Sequence, residues 1–231
     1  MKVNENYYDN KVINKPWGHE YVVYRVKKNL SVTFLNINPG KTTSLHCHTK
    51  KKTGFIVLDG KARIQLGLWK SEQKDFNAPS KLMIRTGLFH SIKCVSKRPL
   101  LALEFESPCE KNDLVRFDDP YGRSLKPYEQ GKKYEKKITK TLKLEIPKGK
   151  KTQKIKFKKT QLFFENHSNF KNIISRDLKT IFAIVDGYVG TRENRKVLVP
   201  GDIIRTGTMI KLSKKFKIKK KLRLIRVISN D

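Results

Sequence analysis

The stretch that decides the fold reads Pro39-Gly40-Lys41-Thr42-Thr43-Ser44-Leu45-His46-Cys47-His48. A Pro-Gly turn leads into a short strand-like run that carries two histidines, two residues apart. Side chains two apart in a β-strand point to the same face, so both imidazoles face one way. Imidazole is the commonest transition-metal ligand among side chains. This spacing therefore predicts the first part of a metal site.

A third histidine, His90, stands in a matching context, because it follows a turn at Thr86-Gly87 and opens a new strand-like run. An antiparallel fold would bring it beside His46 and His48. Three imidazoles suffice for a site that keeps an open position. We predict one divalent transition metal on these three histidines, with Zn, Fe, Mn and Ni all left open. The alternative is three histidines that bind nothing.

Short strand-like runs and tight turns alternate along the whole chain. Gly, Pro, Asn and Asp separate the runs, as at Asp59-Gly60 and Pro200-Gly201. No long stretch has convincing helical periodicity. Many short strands with such turns are typical of a β-sandwich or β-barrel. The sequence therefore predicts an all-β protein.

An internal repeat predicts two copies of one β domain. Phe55–Gly60 recurs as Phe182–Gly187, and Ile84–Gly87 recurs as Ile204–Gly207, in the same order and strand context. Chance is the alternative for any single short match. We expect domains at residues 1–130 and 131–231. The second copy has no histidines at the positions equivalent to the three ligands, so it cannot form the same site; those positions hold Ile173, Ser175 and Ile210.

The net charge of +31 is unevenly distributed. Residues 1–130 carry 23 Lys and Arg against 13 Asp and Glu, and residues 131–231 carry 29 against 8. Within Lys211–Arg226, one parity carries apolar residues and the other carries basic residues, which is typical of a strand with one solvated face. The apolar set is Phe216, Ile218, Leu222 and Leu224, and the basic set is Lys215, Lys217, Lys219, Lys221 and Arg223. No nucleic-acid-binding motif accompanies the charge. Nucleic acid is therefore not an expected partner, although a polyanion-binding module stays an alternative.

Other features place the chain among water-soluble proteins. No apolar run approaches the roughly 20 residues of a membrane helix, and the first ten residues lack the apolar core of a secretory signal. Three cysteines with no paired spacing indicate reduced thiols. We expect a cytoplasmic protein with no membrane association.

Two motifs resemble those of the cupin superfamily, whose small jelly-roll barrels hold a metal inside. Pro39–Gly60 resembles the first cupin motif, and Gly87–His90 resembles the second. Three segments look more specifically like the cupin domain of type II mannose-6-phosphate isomerases: Lys15–Glu20, Ser44–Gly60 and Asp113–Arg123. The resemblance covers residues 15–123. It implies two tandem cupin-type jelly-roll β-barrel domains, of which the second is degenerate.

The resemblance also implies a function and roles for further residues. It suggests a metal-dependent enzyme that isomerises or epimerises a sugar phosphate or related anionic carbohydrate. Arg123 would grip the anion, with Arg116 as the weaker candidate. Lys52, in the run Lys50–Lys52 after the ligands, is a second anion contact unless that run is simply solvated. Glu104 is a catalytic base or ligand if its strand face points inward.

One departure from the family pattern leaves the chemistry open. The first motif of the family has a glutamate five residues past the second ligand, and here that position holds Thr53. A hydroxyl is a poor substitute for a carboxylate ligand. A three-histidine metal dioxygenase or lyase and a non-catalytic sugar-binding bicupin therefore remain alternatives. The expected partner is a small anionic sugar or sugar phosphate, and a homodimer is left open.

Overall fold

The computed structural model describes residues 6–124, 126, 128–138, 140–147 and 151–230. Seventeen strands form within these residues, so the all-β prediction is confirmed. In the described ranges, helical structure is limited to α1 (Lys171–Ile174), α2 (Thr206–Ser213) and a 3-10 turn at Lys132–Tyr134. No helix in the described residues is long and apolar enough to cross a membrane.

The first half of the chain forms two antiparallel sheets that enclose a barrel. Sheet A has the order β1 (Ile13–Lys15), β2 (Gly18–Val26), β3 (Leu30–Ile37), β10 (Leu100–Ser107), β5 (Lys52–Asp59), β8 (Ser80–Ile84). Sheet B has the order β11 (Val115–Asp118), β4 (Leu45–Cys47), β9 (His90–Cys94), β6 (Lys61–Leu66), β7 (Gln73–Asn77). Apolar side chains from both sheets fill the space between them, among them Trp17, Leu35, Phe55, Ile64 and Ile92. The arrangement is a jelly roll.

The second half contributes one further antiparallel sheet, sheet C. Its order is β12 (Gln153–Lys156), β13 (Thr160–His167), β17 (Lys217–Ser229), β14 (Ile181–Gly190), β15 (Lys196–Leu198), and β16 (Ile203–Arg205) also pairs with β14. Strands β12, β13, β17, β14 and β16 pair with one another as β2, β3, β10, β5 and β8 do in sheet A. The second copy therefore repeats sheet A, and α1 and α2 cover the face where sheet B lies in the first copy, through Ile173 and Met209.

The repeated Asp-Gly pair occupies different positions in the two copies. Asp59-Gly60 ends β5 in a turn, whereas Asp186-Gly187 lies inside β14 where the register with β17 shifts. The glycine has a positive φ in both places, 81° for Gly60 and 80° for Gly187. The N–H of each glycine donates a hydrogen bond to the side chain of the aspartate before it. A Cβ on Gly187 would lie 2.3 Å from the carbonyl oxygen of Lys221. Glycine is therefore required at this bulge.

Sheets A and C pack back to back through one apolar core. The outer face of sheet A contributes Ile56, Leu58, Leu103 and Phe105, and sheet C contributes Leu162, Phe164, Ile181, Ile225 and Val227. Because sheet A is covered on both faces, alternate residues of β5 and β10 point either into this core or into the barrel.

The connecting segment belongs structurally with the first half. The Lys136 N–H donates to the Val12 carbonyl beside β1, and the Leu144 N–H donates to the Val23 carbonyl of β2. Residues 131–138 and 140–147 therefore run beside the first two strands. The division of the chain at residue 130 stays a prediction.

Candidate metal centre

Three histidines meet inside the barrel. His46 lies on β4, His48 follows directly after it, and His90 opens β9 opposite His46 in the sheet register. One ring nitrogen from each histidine lies within 4.8 Å of the others. The antiparallel pairing of β4 with β9 thus unites two motifs that lie about 40 residues apart in the sequence. No other such group of His, Cys, Asp or Glu occurs in the described part of the chain.

Backbone carbonyls orient all three imidazoles in the same way. The Nδ1 of His46 donates to the Ser44 carbonyl at 2.8 Å, that of His48 to the Asp113 carbonyl at 2.5 Å, and that of His90 to the Leu88 carbonyl at 3.0 Å. Each Nε2 then keeps its lone pair. Metal-ligating histidines are usually oriented by such a hydrogen bond from the other ring nitrogen.

Two of these Nε2 atoms have no hydrogen-bond partner although they are buried, namely those of His48 and His90. Burial lowers the pKa of His48 to about 3 and of His90 to about 4, and it lowers the pKa of His46 well below its usual value. Neutral imidazoles with buried, unpartnered lone pairs match the donor set of a divalent transition metal. The residues present therefore fit such an ion.

The position where the family glutamate would stand carries no charge. Thr53 is buried on β5, and its hydroxyl has no hydrogen-bond partner among the described residues. The nearby carboxylates are on β10, where Glu104 and Glu106 alternate with Leu103 and Phe105 of the back-to-back core. Both glutamates consequently point into the barrel. The sequence alone did not decide the direction of this strand face.

Glu104 and Glu106 differ sharply in their surroundings. Glu106 is ion-paired with the buried ammonium groups of Lys51 and, at 3.1 Å, Lys111. Burial alone would raise the pKa of Glu106, but the charges of Lys111 and Lys51 hold this pKa well below its usual value. Glu104 has no ion pair among the described residues, and burial, together with the charge of Glu106, raises its pKa to about 8. Glu104 therefore keeps its proton to a higher pH than an ordinary carboxyl group does.

A cavity inside the barrel brings several predicted residues together. His46, Glu104, Arg116 and Arg123 all line it. Arg123 is not free, because its guanidinium donates to Asp119 at 2.7 and 3.0 Å and to Glu129 at 2.5 Å. Lys15, which also lines the cavity, is held by Glu129 and Glu20.

Arg116 is less fully engaged than Arg123. It donates to the backbone carbonyls of Arg123 and Lys126, and no carboxylate lies within ion-pair distance of it in the described residues. Its buried Nε has no hydrogen-bond partner. The structure thus leaves more donors available on the arginine that sequence reasoning ranked second.

Lys52 does not line this cavity. Its side chain points away from the barrel, as expected for the neighbour of Thr53 on a strand, and its ammonium lies 2.5 Å from Asp202 in the second half. Lys51, in contrast, is almost completely buried beside the site, although the run Lys50–Lys52 is typical of a solvated loop. The only sequence feature that could have predicted the burial of Lys51 is its parity with Thr53 on the strand. No sequence feature predicted that Lys111 lies beside the site.

A family model described as "Mannose-6-phosphate isomerase C-terminal" matches residues 2–119, just over half of the chain. The chain belongs to this family. Its first half is thus a mannose-6-phosphate isomerase-like cupin domain, which confirms the resemblance of the motifs.

Curated relatives of this mannose-6-phosphate isomerase-like domain are longer proteins. The xanthan biosynthesis protein XanB of Xanthomonas campestris pv. campestris is 30% identical over 114 residues, which cover 48% of this chain and 24% of XanB. The mannose-1-phosphate guanylyltransferase ManC of Salmonella typhimurium is 28% identical over 113 residues, which cover 48% of this chain and 23% of ManC. The chain therefore spans about a quarter of the length of the curated relatives it matches.

Solved structures also resemble the chain over about half of its length. The capsular polysaccharide assembling protein CapF of Staphylococcus aureus has a TM-score of 0.42 and 16% identity, over 47% of this chain and 34% of CapF. KdgF from a Halomonas species has a TM-score of 0.39 and 14% identity, over 48% of this chain and 95% of KdgF.

Proposed function

We propose that this protein is a metal-dependent cupin that acts on a sugar phosphate or related anionic carbohydrate, as an isomerase or epimerase. The observation that carries the proposal is the convergence of His46, His48 and His90 with two buried and unpartnered Nε2 atoms. The family supports the class of substrate, because relatives are named for mannose-phosphate chemistry.

The three histidines would hold one divalent transition metal. Such an ion would polarise a carbonyl or hydroxyl group of the sugar. The hydrogen bonds from Nδ1 to backbone carbonyls keep the three rings in place, so no reorganisation of the histidines is needed. We expect each histidine to be a ligand.

Glu104 is the group that would move a proton. When isomerisation and epimerisation proceed by proton transfer, a base removes a proton from the carbon next to a carbonyl group. Isomerisation then returns a proton to the neighbouring carbon, and epimerisation returns it to the opposite face of the same carbon. Glu104 lines the same cavity as His46, and its pKa of about 8 lies near neutral pH, where a carboxyl group can both give and accept a proton.

Arg116 and Arg123 would bind the anionic group of the substrate. The planar guanidinium matches phosphate and carboxylate geometry. Arg116 offers donors that no carboxylate occupies, whereas Arg123 is neutralised by Asp119 and Glu129. Arg116 is therefore the stronger candidate for direct contact, and Arg123 supports the cavity wall.

The proposal is tested by metal analysis of protein purified without added metal. We expect about one equivalent of a divalent transition metal in the wild type and a loss of most of it in His90→Ala, because three imidazoles are few enough that each matters. His167→Ala is the matched control, since His167 contacts Glu165 in sheet C, away from the site. Absence of metal from the wild type after reconstitution would refute the proposal.

The reaction is tested separately by a screen of aldose and ketose phosphates. We expect interconversion of at least one pair, and its loss in His90→Ala. Metal-loaded protein that converts none of them but consumes O₂ with an organic substrate would favour the second candidate function, a three-histidine dioxygenase. Thr53 is the observation that favours this alternative, because it leaves the donor set without the motif carboxylate.

A further inference from the structure

The missing motif carboxylate has a neighbour across the sheet. Thr53 on β5 is directly opposite Glu106 on β10 in the register of sheet A. Residues directly opposite each other share a face, with Cβ atoms about 5 Å apart. Glu106 therefore enters the barrel from the position next to the one that the family uses, and both residues are 1% exposed.

Glu106 and the three histidines all face the interior of the barrel. Glu106 lies on the inward face of β10, because Leu103 and Phe105 of the same strand pack in the back-to-back core, and the histidines lie on or next to β4 and β9 of the facing sheet. The Glu106 carboxylate is outside the group of three ring nitrogens that lie within 4.8 Å of one another. The Nε2 atoms of His48 and His90 are the ones without a hydrogen-bond partner.

Glu106 retains acceptor capacity despite its two ion pairs. Lys51 contacts Oε1 and Lys111 contacts Oε2. An ionised carboxylate has about four lone-pair positions on its two oxygens. One position on each oxygen therefore remains, and Lys51 competes with any cation at the histidines for the same carboxylate.

We propose that Glu106 provides the three-histidine site with the carboxylate that position 53 lacks. The inference rests on the proposed metal function. The family position has moved sideways by one strand, from β5 to β10, and ion pairs with Lys51 and Lys111 hold the displaced carboxylate inside the barrel. Glu104 is a poorer candidate for this role, because it is opposite Phe55 and not opposite Thr53.

Zn²⁺ titration of the metal-free protein tests the assignment. Loss of a group that merely orients a ligand weakens metal binding about 10- to 100-fold, so we expect Glu106→Gln to weaken Zn²⁺ binding by at least about tenfold. Glu165→Gln is the matched control, because it removes a buried, ion-paired carboxylate of sheet C. Thr53→Glu in the Glu106→Gln background should restore affinity.

Two further measurements separate a direct role from a structural one. The visible absorption of bound Co²⁺ depends on its ligands, so Glu106→Gln should change that spectrum and Glu165→Gln should not. Lys51→Met frees Glu106 from its competitor and should strengthen Zn²⁺ binding severalfold. This variant also tests the idea if Glu106→Gln fails to fold.

The outcomes distinguish this inference from the proposed function. Zn²⁺ affinity and a Co²⁺ spectrum in Glu106→Gln equal to those of the wild type would overturn the inference and leave the metal site in place. Unchanged or weaker binding in Lys51→Met would also overturn it. A wild type that binds neither ion would remove both proposals.

Discussion

Glu104 and Glu106 lie two residues apart on one face of β10, yet they differ in protonation. Lys51 and Lys111 surround Glu106 and keep it ionised, while Glu104 lies in the same interior without a cation of its own. Opposed pKa shifts in neighbouring carboxyl groups commonly mark the acid or base of an active site. This contrast is the reason why we propose Glu104, and not Glu106, as the group that transfers a proton.

Replacing Glu104 with glutamine should separate catalysis from metal binding. Glutamine is close in shape to a protonated glutamate but cannot transfer a proton, so we expect turnover of the substrate found in the phosphate screen to fall about 100-fold or more. Zn²⁺ affinity should stay near the wild-type value. Steady-state kinetics and metal titration measure the two effects, and unchanged turnover would exclude Glu104 as the acid or base.

The β-strands show where alternation predicts burial and where it does not. In β17 the lysines Lys217, Lys219 and Lys221 are exposed, as the period of two predicts. From Leu224 to Val227 both faces are buried, because sheet A covers one of them. Arg226 is accordingly buried too, where it pairs with Glu165 of β13 at 2.9 Å. A tertiary contact overrides the local pattern at that point.

The pair Glu165–Arg226 predicts how stability depends on pH. Burial alone would raise the pKa of Glu165, but hydrogen bonds with His167 and Arg226 lower this pKa from 4.5 to about 2. A carboxyl group whose pKa is lower in the folded than in the unfolded protein stabilises the fold at pH values above its unfolded-state pKa. This stabilisation is lost as the pH falls through the folded-state pKa. Glu165→Gln should therefore lower the free energy of unfolding by about 3 kcal/mol at pH 7.

Urea unfolding from pH 7 down to pH 2 measures this contribution. The difference between wild type and Glu165→Gln should shrink as pH falls from about 4.5 toward 2. A difference that stays constant over this range would show that Glu165 contributes through shape alone.

At the scale of the whole molecule, the two copies share one core. Leu103 of sheet A and Phe164 of sheet C belong to the same buried cluster, and the Thr160 hydroxyl donates to the Leu58 carbonyl across it. Sheet A is thus the central layer of the molecule. Its rigidity on both sides holds Thr53, Glu104 and Glu106 in place inside the barrel.

This shared core predicts that the two copies unfold together. Leu103→Ala should lower the free energy of unfolding by about 2–5 kcal/mol without separating the transitions of the two halves. Tryptophan fluorescence reports the first half, which contains Trp17 and Trp69, and far-UV circular dichroism reports both. Coincident transitions are expected, and two resolved transitions would contradict a common core.

Particular residues show how far the sequence could predict the site. His46, His48 and His90 followed from spacing and from turns, since a strand period of two and a Gly turn act locally. The burial of Lys51 and the pairing of Lys52 with Asp202 did not, because each depends on a partner from elsewhere in the fold. The sequence did not show which of Arg116 and Arg123 is the better anion contact. The ion pairs of Arg123 with Asp119 and Glu129 exist only in the folded structure.

The sequence by itself determined the all-β class, the relationship between the two copies and the three histidines, because all of these are written in local periodicity and short motifs. Only the tertiary structure decided that β10 faces its glutamates inward and that Glu106 lies beside Thr53. It also decided that the second copy keeps one sheet under two helices. Pairing between distant strands determines these features, and strand periodicity carries no information about which partner covers which face.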